Sequence, residues 1–473
     1  MSYKEVYAGW QADPEAFWMK AAEAIDWIKA PSKALWDDDA PLYEWFKDAQ
    51  VNTCYNAVDR HVEAGNGDRV AIIYDSPVTG QKSKTTYAEL QEQVAALAGG
   101  LAAKGVLAGD RVVIYMPMVP EALVAMLACV RIGAIHSVVF GGFAANELAV
   151  RIDDATPKAI IAGSCGVEPG RIVEYKPLLD GAIDLAAHKP EFSVIFQRPQ
   201  CEAELGPQDI EWHQLQEGVP PAPCVAVSGD HPAYILYTSG TTGRSKGAML
   251  TQNNLLSNAE VLTRHWAFSA TDALLHALPI FHTHGLFVAT NIALLSGCKI
   301  LFLPKFDREA IIALLPQATS MMGVPTFYTR LLDDPRFDRA LTGRMRLFIS
   351  GSAPLLAETH KLFEERSGHR ILERYGMTEI GMALSNPYTG ERRAGYVGQP
   401  FPGVTVQLFN EDHQPVTTAS ESGEIRVKSD TVFLEYWNNP KIQYSQTVLP
   451  YPLDNDPIRS SSHSGKHVLF YDP

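Results

Sequence analysis

The sequence has no lysine- or arginine-rich block: 40 basic residues against 54 acidic ones leave a formal charge of −14. That balance argues against a nucleic-acid-binding surface. No run of about 18 apolar residues occurs, so no membrane-spanning helix is expected. The opening residues, Met1-Ser2-Tyr3-Lys4-Glu5-Val6, lack the charged-then-apolar profile of a secretory leader. The six cysteines (54, 129, 165, 201, 224 and 298) never fall in C-x-x-C spacing. Structural zinc and a disulfide framework are therefore not expected, and a reducing cytoplasm fits. His282 and His284 are close, but no cysteine or acidic cluster beside them makes a metal site. Internal repeats are absent, and so is the G-x-x-x-x-G-K-[ST] phosphate loop.

What is present describes a folded chain of several subdomains. At 473 residues, with 46% apolar and 20% charged residues, it exceeds one ordinary core. Residues 1–60 carry Trp10, Trp18, Trp27, Trp36 and Trp45, an extension expected to pack its aromatics onto the main body. From about residue 68 strands and helices alternate. Val70–Tyr74 and Arg111–Tyr115 read as strands. Thr86 with Glu89 is a capping box opening a helix through Leu90, Val94, Leu97 and Leu101, and Pro120 opens another to Arg131. Further strands are expected near 158–163, 193–196, 299–303, 319–324 and 345–350. Helices are expected over 145–154, 171–187, 252–263, 286–295, 307–315, 325–332 and 355–367. Such alternation predicts an α/β fold with mostly parallel sheet. From about 395 to 437 short strands at 404–408 and 423–427 predict a small β subdomain.

Three stretches carry the chemistry. Tyr237-Thr238-Ser239-Gly240-Thr241-Thr242-Gly243-Arg244-Ser245-Lys246-Gly247 holds five Ser/Thr hydroxyls, three glycines and a lysine directly after the apolar Tyr234-Ile235-Leu236. Backbone N–H groups, hydroxyls and an ammonium in such a loop can surround polyphosphate oxygens. Ser350-Gly351-Ser352-Ala353-Pro354 follows a strand, and its small residues leave room for a planar ligand. Tyr375-Gly376-Met377-Thr378-Glu379 sets a ring, a hydroxyl and a carboxylate where they can stack on adenine, bond an α-phosphate and hold Mg²⁺.

Together these stretches resemble the adenylate-forming superfamily, which includes acyl-CoA synthetases, luciferases and peptide-synthetase adenylation domains. Its loop signature is Y-T-S-G-T-T-G-x-P-K-G, with Ser245 here in place of proline, so the loop loses a φ restraint. Residues 1–247 are similar to short-chain propionyl- and acetyl-CoA synthetases through Asn52-Thr53-Cys54-Tyr55-Asn56-Ala57-Val58-Asp59-Arg60-His61, Tyr115–Glu121 and His136–Phe143. Residues 248–437 are similar to malonyl-CoA synthetase through His276–Gly285, Gly323–Arg330 and Glu373–Glu379.

The resemblance implies a large domain of two stacked, mostly parallel sheets over residues 61–437, after an extension at 1–60. It implies ATP and CoA as co-substrates, Mg²⁺ on Glu379, and a small carboxylate as the acid. ATP would be held by Thr238, Ser239, Gly240, Thr241, Thr242, Gly243, Lys246, Gly351, Ser352, Ala353, Tyr375, Gly376, Met377 and Thr378. Lys246, Thr378, Glu379 and His282 would be catalytic. His282, Ser350 and Arg330 would meet the acid, with malonate favoured over propionate and acetate. Gly141, Gly142 and Arg171 would meet CoA, although Glu168 stands where a second arginine is frequent. Residues 438–473 match none of the hinge and mobile C-terminal domain that complete the family, and read as an unrelated or out-of-frame tail. A catalytically impaired nucleotide-binding fragment, or an adenylating enzyme with a non-CoA acceptor, are the alternatives.

Overall fold

In this computed structural model the described residues are 3–38, 44–168, 170–238, 246–410, 412–416, 423–438 and 466–470. Of these, 3–7 and 466–470 are described as backbone only. Two large sheets dominate. The first has eight strands in the spatial order 209–211, 192–196, 159–163, 111–116, 135–140, 232–238, 246–251, 435–436. The second has nine, in the order 399–400, 381–385, 372–377, 347–350, 320–323, 273–276, 299–302, 70–75, 82–86. Their central pairs are parallel; antiparallel pairs close both ends of the second sheet and the 232–251 end of the first, whose 209–211 end stays parallel, so the expected α/β architecture is what the chain adopts.

Both faces of the central strand Arg111–Met116 are buried. In Arg111–Met116, Val112, Ile114 and Met116 join a core shared with the second sheet and with the helices Tyr87–Ala103 and Pro120–Arg131. Val113 and Tyr115 alternate to the opposite face, under Ala145–Ala155 and Tyr175–Leu185. A strand apolar on both faces is the signature of a parallel sheet covered by helices. The Thr86–Glu89 capping box forms as read, and Pro120–Arg131 and Pro325–Leu332 have the expected bounds.

One expectation changes. Residues 171–187 are not one helix: Arg171–Glu174 pairs antiparallel with Cys165–Glu168, and the helix begins at Tyr175. The β-branched Ile172 and Val173 lie at the start of that stretch, where they favour strand. Within the expected 438–473 tail, Lys466–Phe470 pairs with Glu424–Ser429, which also pairs with Thr405–Phe409 in a three-stranded sheet.

The Asn52–His61 stretch proves to be a structural clamp. The Asn52 amide donates to the carbonyls of Val130, Arg131 and Val225. The Asn56 amide joins the backbone of Asp26, and His61 reaches the Leu294 carbonyl. Asp59 pairs with Arg131 at 2.8 Å, both buried, and Cys54 and Cys224 flank that pair. Of the tryptophans, Trp27 packs against Val51, Leu256, Ala259 and Leu295 of the body, while Trp18 meets Trp45 edge to face. Among the described residues no helix is long and apolar enough to cross a membrane.

Candidate active site

The second sheet changes winding direction at Ala273–His276, whose neighbours are 299–302 on one side and 320–323 on the other. Ligands in open α/β sheets sit outside the carboxyl ends of strands at such a point. The segment leaving that strand carries His282, Thr283 and His284, and the adjoining strands end in Gly323, Ser350 and Met377. The fold thereby gathers residues separated by almost a hundred positions. The Thr283 and Thr378 hydroxyls meet at 2.9 Å, and Ser352 Oγ lies 3.3 Å from His284 Nδ1.

The turn after Leu372–Met377 is built tightly. Gly376 has no room for a side chain, because a Cβ there would lie 2.2 Å from the Gly381 carbonyl oxygen. Asn258 fixes the returning strand by bonding both backbone groups of Met382. This aims Thr378 and Glu379 beyond the sheet. Glu379 is 4% exposed, and its Oε1 accepts a 2.8 Å hydrogen bond from the Tyr436 hydroxyl. Burial raises its carboxyl above the usual 4.5, against the opposing pull of Tyr436 and Lys246.

Lys246 comes to the same place from the first sheet. Pro232–Thr238 and Lys246–Thr251 pair antiparallel as a β-hairpin, with Thr238 opposite Lys246. Ser239, Gly240, Thr241, Thr242, Gly243, Arg244 and Ser245 lie outside the described residues. Lys246 Nζ stands 5.5 Å from the centre of the Tyr436 ring. Sequence reasoning missed Tyr436. It belongs to Glu435–Tyr436, which adds to the hairpin edge, and Phe433 N donates to the Glu379 carbonyl at 2.8 Å. The only signal was the aromatic cluster Phe433, Tyr436 and Trp437 in an otherwise polar stretch.

The remaining expected residues fall at several places. Tyr375, Gly376, Met377 and Thr378 are half-buried at the strand end, while Ser352 and Ala353 are exposed beside it. Ser352 has φ +67°, which costs a non-glycine residue and holds the turn open. Ser350 is buried with no partner for its hydroxyl. His282 is exposed next to Phe281. Arg330 is exposed too, lying over the Phe306 ring at 5.5 Å, and is not gathered with the others. Gly141 is cramped, its carbonyl accepting from Tyr175 at 2.6 Å, and Gly142 has φ +136°. Arg171 is exposed and paired with Glu168 at 2.8 Å. Both line an open cavity of about 570 Å³ together with Val78 and Lys305.

Matched against known families, residues 58–437 fit the AMP-binding enzyme model and residues 3–57 the acetyl-coenzyme A synthetase N-terminus. The chain belongs to the AMP-binding enzyme family. Among its curated relatives in that family are acyl- and acetyl-CoA synthetases. It is 49% identical to human acyl-CoA synthetase short-chain family member 3, mitochondrial, over 270 residues, 57% of this chain and 39% of that one. It is 34% identical to acetyl-coenzyme A synthetase of Streptomyces avermitilis over 433 residues, 87% of this chain and 66% of that one. ATP-bound MatB from Rhodopseudomonas palustris superposes with a TM-score of 0.71 at 39% identity, covering 82% of this chain and 72% of that one. The chain spans 36% to 69% of the length of the curated relatives it matches.

Proposed function

We propose that this chain is the scaffold of an ATP-dependent short-chain carboxylate–CoA ligase. The substrate carboxylate attacks the α-phosphorus of ATP, pyrophosphate leaves, and CoA thiol then displaces AMP from the acyl-adenylate. The observation that carries this reading is the convergence of Lys246 and Glu379 from two different sheets on Tyr436, with Thr378 next to Glu379 in the chain and bonded to Thr283.

Little covalent chemistry is asked of the protein in the first step; positioning and charge stabilisation do most of it. Tyr375 would stack on adenine, and Thr378, braced by Thr283, would bond the α-phosphate. Lys246 and the hairpin hydroxyls would receive the departing pyrophosphate. The donor set fits Mg²⁺, a hard ion that takes a carboxylate and leaves its other positions to phosphate and water. Glu379 would hold it, and when bound it would offset charge on the phosphates. Tyr436 keeps the Glu379 carboxylate oriented.

The cavity beside Gly170–Ile172 is the proposed place for the CoA nucleotide. Arg171 must then exchange Glu168 for a phosphate, and an exposed ion pair of this kind is worth only about 0–1 kcal/mol. For the acid, malonate is proposed over propionate and acetate. One methylene decides about 1–3 kcal/mol, so the second charge of the acid rather than its length is the proposed basis of selection. Thioester analysis with ATP, Mg²⁺, CoA and each acid tests the proposal. Malonyl thioester should exceed propionyl thioester. Adenylate formed without thioester would favour a non-CoA acceptor, and ATP binding without adenylate a catalytically silent fragment.

A further inference from the structure

Asp154 lies where helix physics disfavours it. It stands in the last turn of the helix Ala145–Ala155, beside Asp153, and no basic residue occurs in that turn. The carbonyl end of a helix carries partial negative charge, so a carboxylate there is repelled. Asp153 has a local use, since its Oδ1 accepts from the backbone N–H of His188. Asp154 reaches the neighbouring sheet instead. Its Oδ2 accepts a 2.6 Å hydrogen bond from the Tyr237 hydroxyl, 83 positions later in the chain. Burial and the Asp154 carboxylate push the Tyr237 phenol up, so the ring keeps its proton and acts as the donor.

The Asp154 carbonyl holds a second element. It accepts from Trp437 Nε1 and Asn438 Nδ2, both at 2.9 Å, and the backbone N–H of Trp437 donates to the Gly247 carbonyl at 2.7 Å. Tyr237 belongs to the strand on one side of Lys246–Thr251, and Trp437 directly follows the strand on the other side. One helical residue therefore spans all three. The strand between them carries Gly247 opposite Tyr237. A Cβ there would lie 2.7 Å from Ile235 Cγ2 and 3.1 Å from Tyr237 Cε1, so this glycine leaves the space that the ring takes.

The pleat divides this region into two working faces. Leu236, Ala248 and Tyr436 join the core shared with the second sheet. Side chains alternate along a strand and opposite residues share a face, so Thr238 and Lys246 take that same inner face. There Lys246 lies against the Tyr436 ring, and Tyr436 holds Glu379. Tyr237, Gly247 and Trp437 alternate to the outer face, beneath the helix. Thr238, Lys246 and Tyr436 are each the immediate chain neighbour of one of those three. What Asp154 fixes on the outside is thereby fixed on the inside.

We propose that Asp154 is a positioning residue of the nucleotide site: by pinning Tyr237 and Trp437 from the helix side, it sets where Lys246, Tyr436 and, through Tyr436, the Glu379 carboxylate meet the phosphates and Mg²⁺. This rests on the carboxylate-activation reading above. Asp154 touches no reacting atom. The residues proposed for the acid use none of these bonds, so the effect falls on ATP and pyrophosphate and spares the acid.

The test uses the full chain as wild type, Asp154→Ala, Asp154→Asn, Tyr237→Phe and Asp153→Ala, the last removing a carboxylate from the same helical turn. Titration with a non-hydrolysable ATP analogue and Mg²⁺ should show affinity weakened about 5-fold or more in Asp154→Ala and Tyr237→Phe, part of the strength of one charge-assisted hydrogen bond. Asp154→Asn keeps an oxygen for the tyrosine and should stay within about threefold of wild type. Asp153→Ala should bind the analogue as wild type does. In pyrophosphate exchange, Asp154→Ala should raise the KM for pyrophosphate about 5-fold or more and that for the acid less than about twofold. Backbone amide hydrogen exchange without ligand should quicken across Lys246–Thr251 in Asp154→Ala and not in Asp153→Ala. Equal losses of affinity in Asp154→Ala and Asp153→Ala would mean a weakened helix end and would overturn the proposal. Unchanged analogue affinity in Asp154→Ala, or an equal rise in both KM values, would overturn it too. If wild type binds no ATP analogue, the activation reading fails, and amide exchange alone decides the anchoring: equal rates in wild type and Asp154→Ala would overturn that as well.

Discussion

The Tyr436 hydroxyl donates to Glu379 Oε1 at 2.8 Å, joining a strand-edge residue to a carboxylate 57 positions earlier in the chain. Lys246 lies against the same tyrosine ring, so one aromatic side chain organises both charged groups of the proposed nucleotide site. Because that bond lowers the Glu379 carboxyl against the upward push of burial, Tyr436→Phe should raise it further. The Mg²⁺-dependent activity requires the ionised carboxylate and therefore falls on the acid side. Its acid limb should lie above the usual 4.5 in wild type and move to higher pH in Tyr436→Phe. A pH–rate profile of pyrophosphate exchange checks this, and an unmoved limb would show that Glu379 does not set it.

Glu379→Gln should abolish Mg²⁺-dependent adenylation while the protein stays folded. The substitution keeps the side-chain shape and an oxygen for Tyr436. Within the described residues Glu379 forms no ion pair with Arg374, so no buried pair is broken. Melting temperature and exchange rate measured together decide it. A large drop in stability would mean a structural carboxylate instead.

Lys246→Ala should weaken binding of an ATP analogue in isothermal titration, by about 10-fold or more for one charge-assisted phosphate contact of roughly 1.5–3 kcal/mol. Unchanged affinity would remove the hairpin from the proposed site.

The α/β architecture and most element positions could be read from the sequence, because strands buried on both faces and capped helices leave strong local patterns. Pro325–Leu332 is an example, with proline at its first position. The site was legible only in pieces. Tyr375, Thr378 and Glu379 stand in one motif, but that Thr378 meets Thr283, or that Glu379 meets Tyr436, depends on strand order across the sheets, which no local pattern contains. Arg374 looked like an ordinary flank of the motif, since burial with Nε and Nη2 lacking hydrogen-bond partners is a tertiary property. Arg330 was chosen by resemblance, and its exposure could not be seen from an amphipathic helix pattern alone.

Acid should destabilise the fold below about pH 6.5. His136 is pushed down to about 3 and His276 to about 4 by burial, and His284 lies well below 6.5. A histidine whose folded value is depressed contributes stability that is full above 6.5 and lost as pH falls, since only the unfolded chain takes the proton. Each should cost about 1.4 kcal/mol per pH unit in that range. Denaturant unfolding at pH 7 and near pH 5.5 measures it. A flat profile would mean that these imidazoles are protonated in the folded state.

The Asp59–Arg131 pair gives a purely structural control far from the nucleotide motif in sequence. Asp59→Asn leaves Arg131 buried without its counter-ion and should cost about 3–5 kcal/mol. Denaturant unfolding checks this, and a loss below about 1 kcal/mol would show that the clamp carries little.

Pyrophosphate exchange into ATP, with Mg²⁺ and one short carboxylic acid at a time, tests the central claim most directly. The predicted result is exchange that needs both the acid and Mg²⁺, is faster with malonate than with propionate or acetate, and is lost in Glu379→Gln. Exchange that is independent of added acid, or ATP binding with no exchange for any acid, would contradict it.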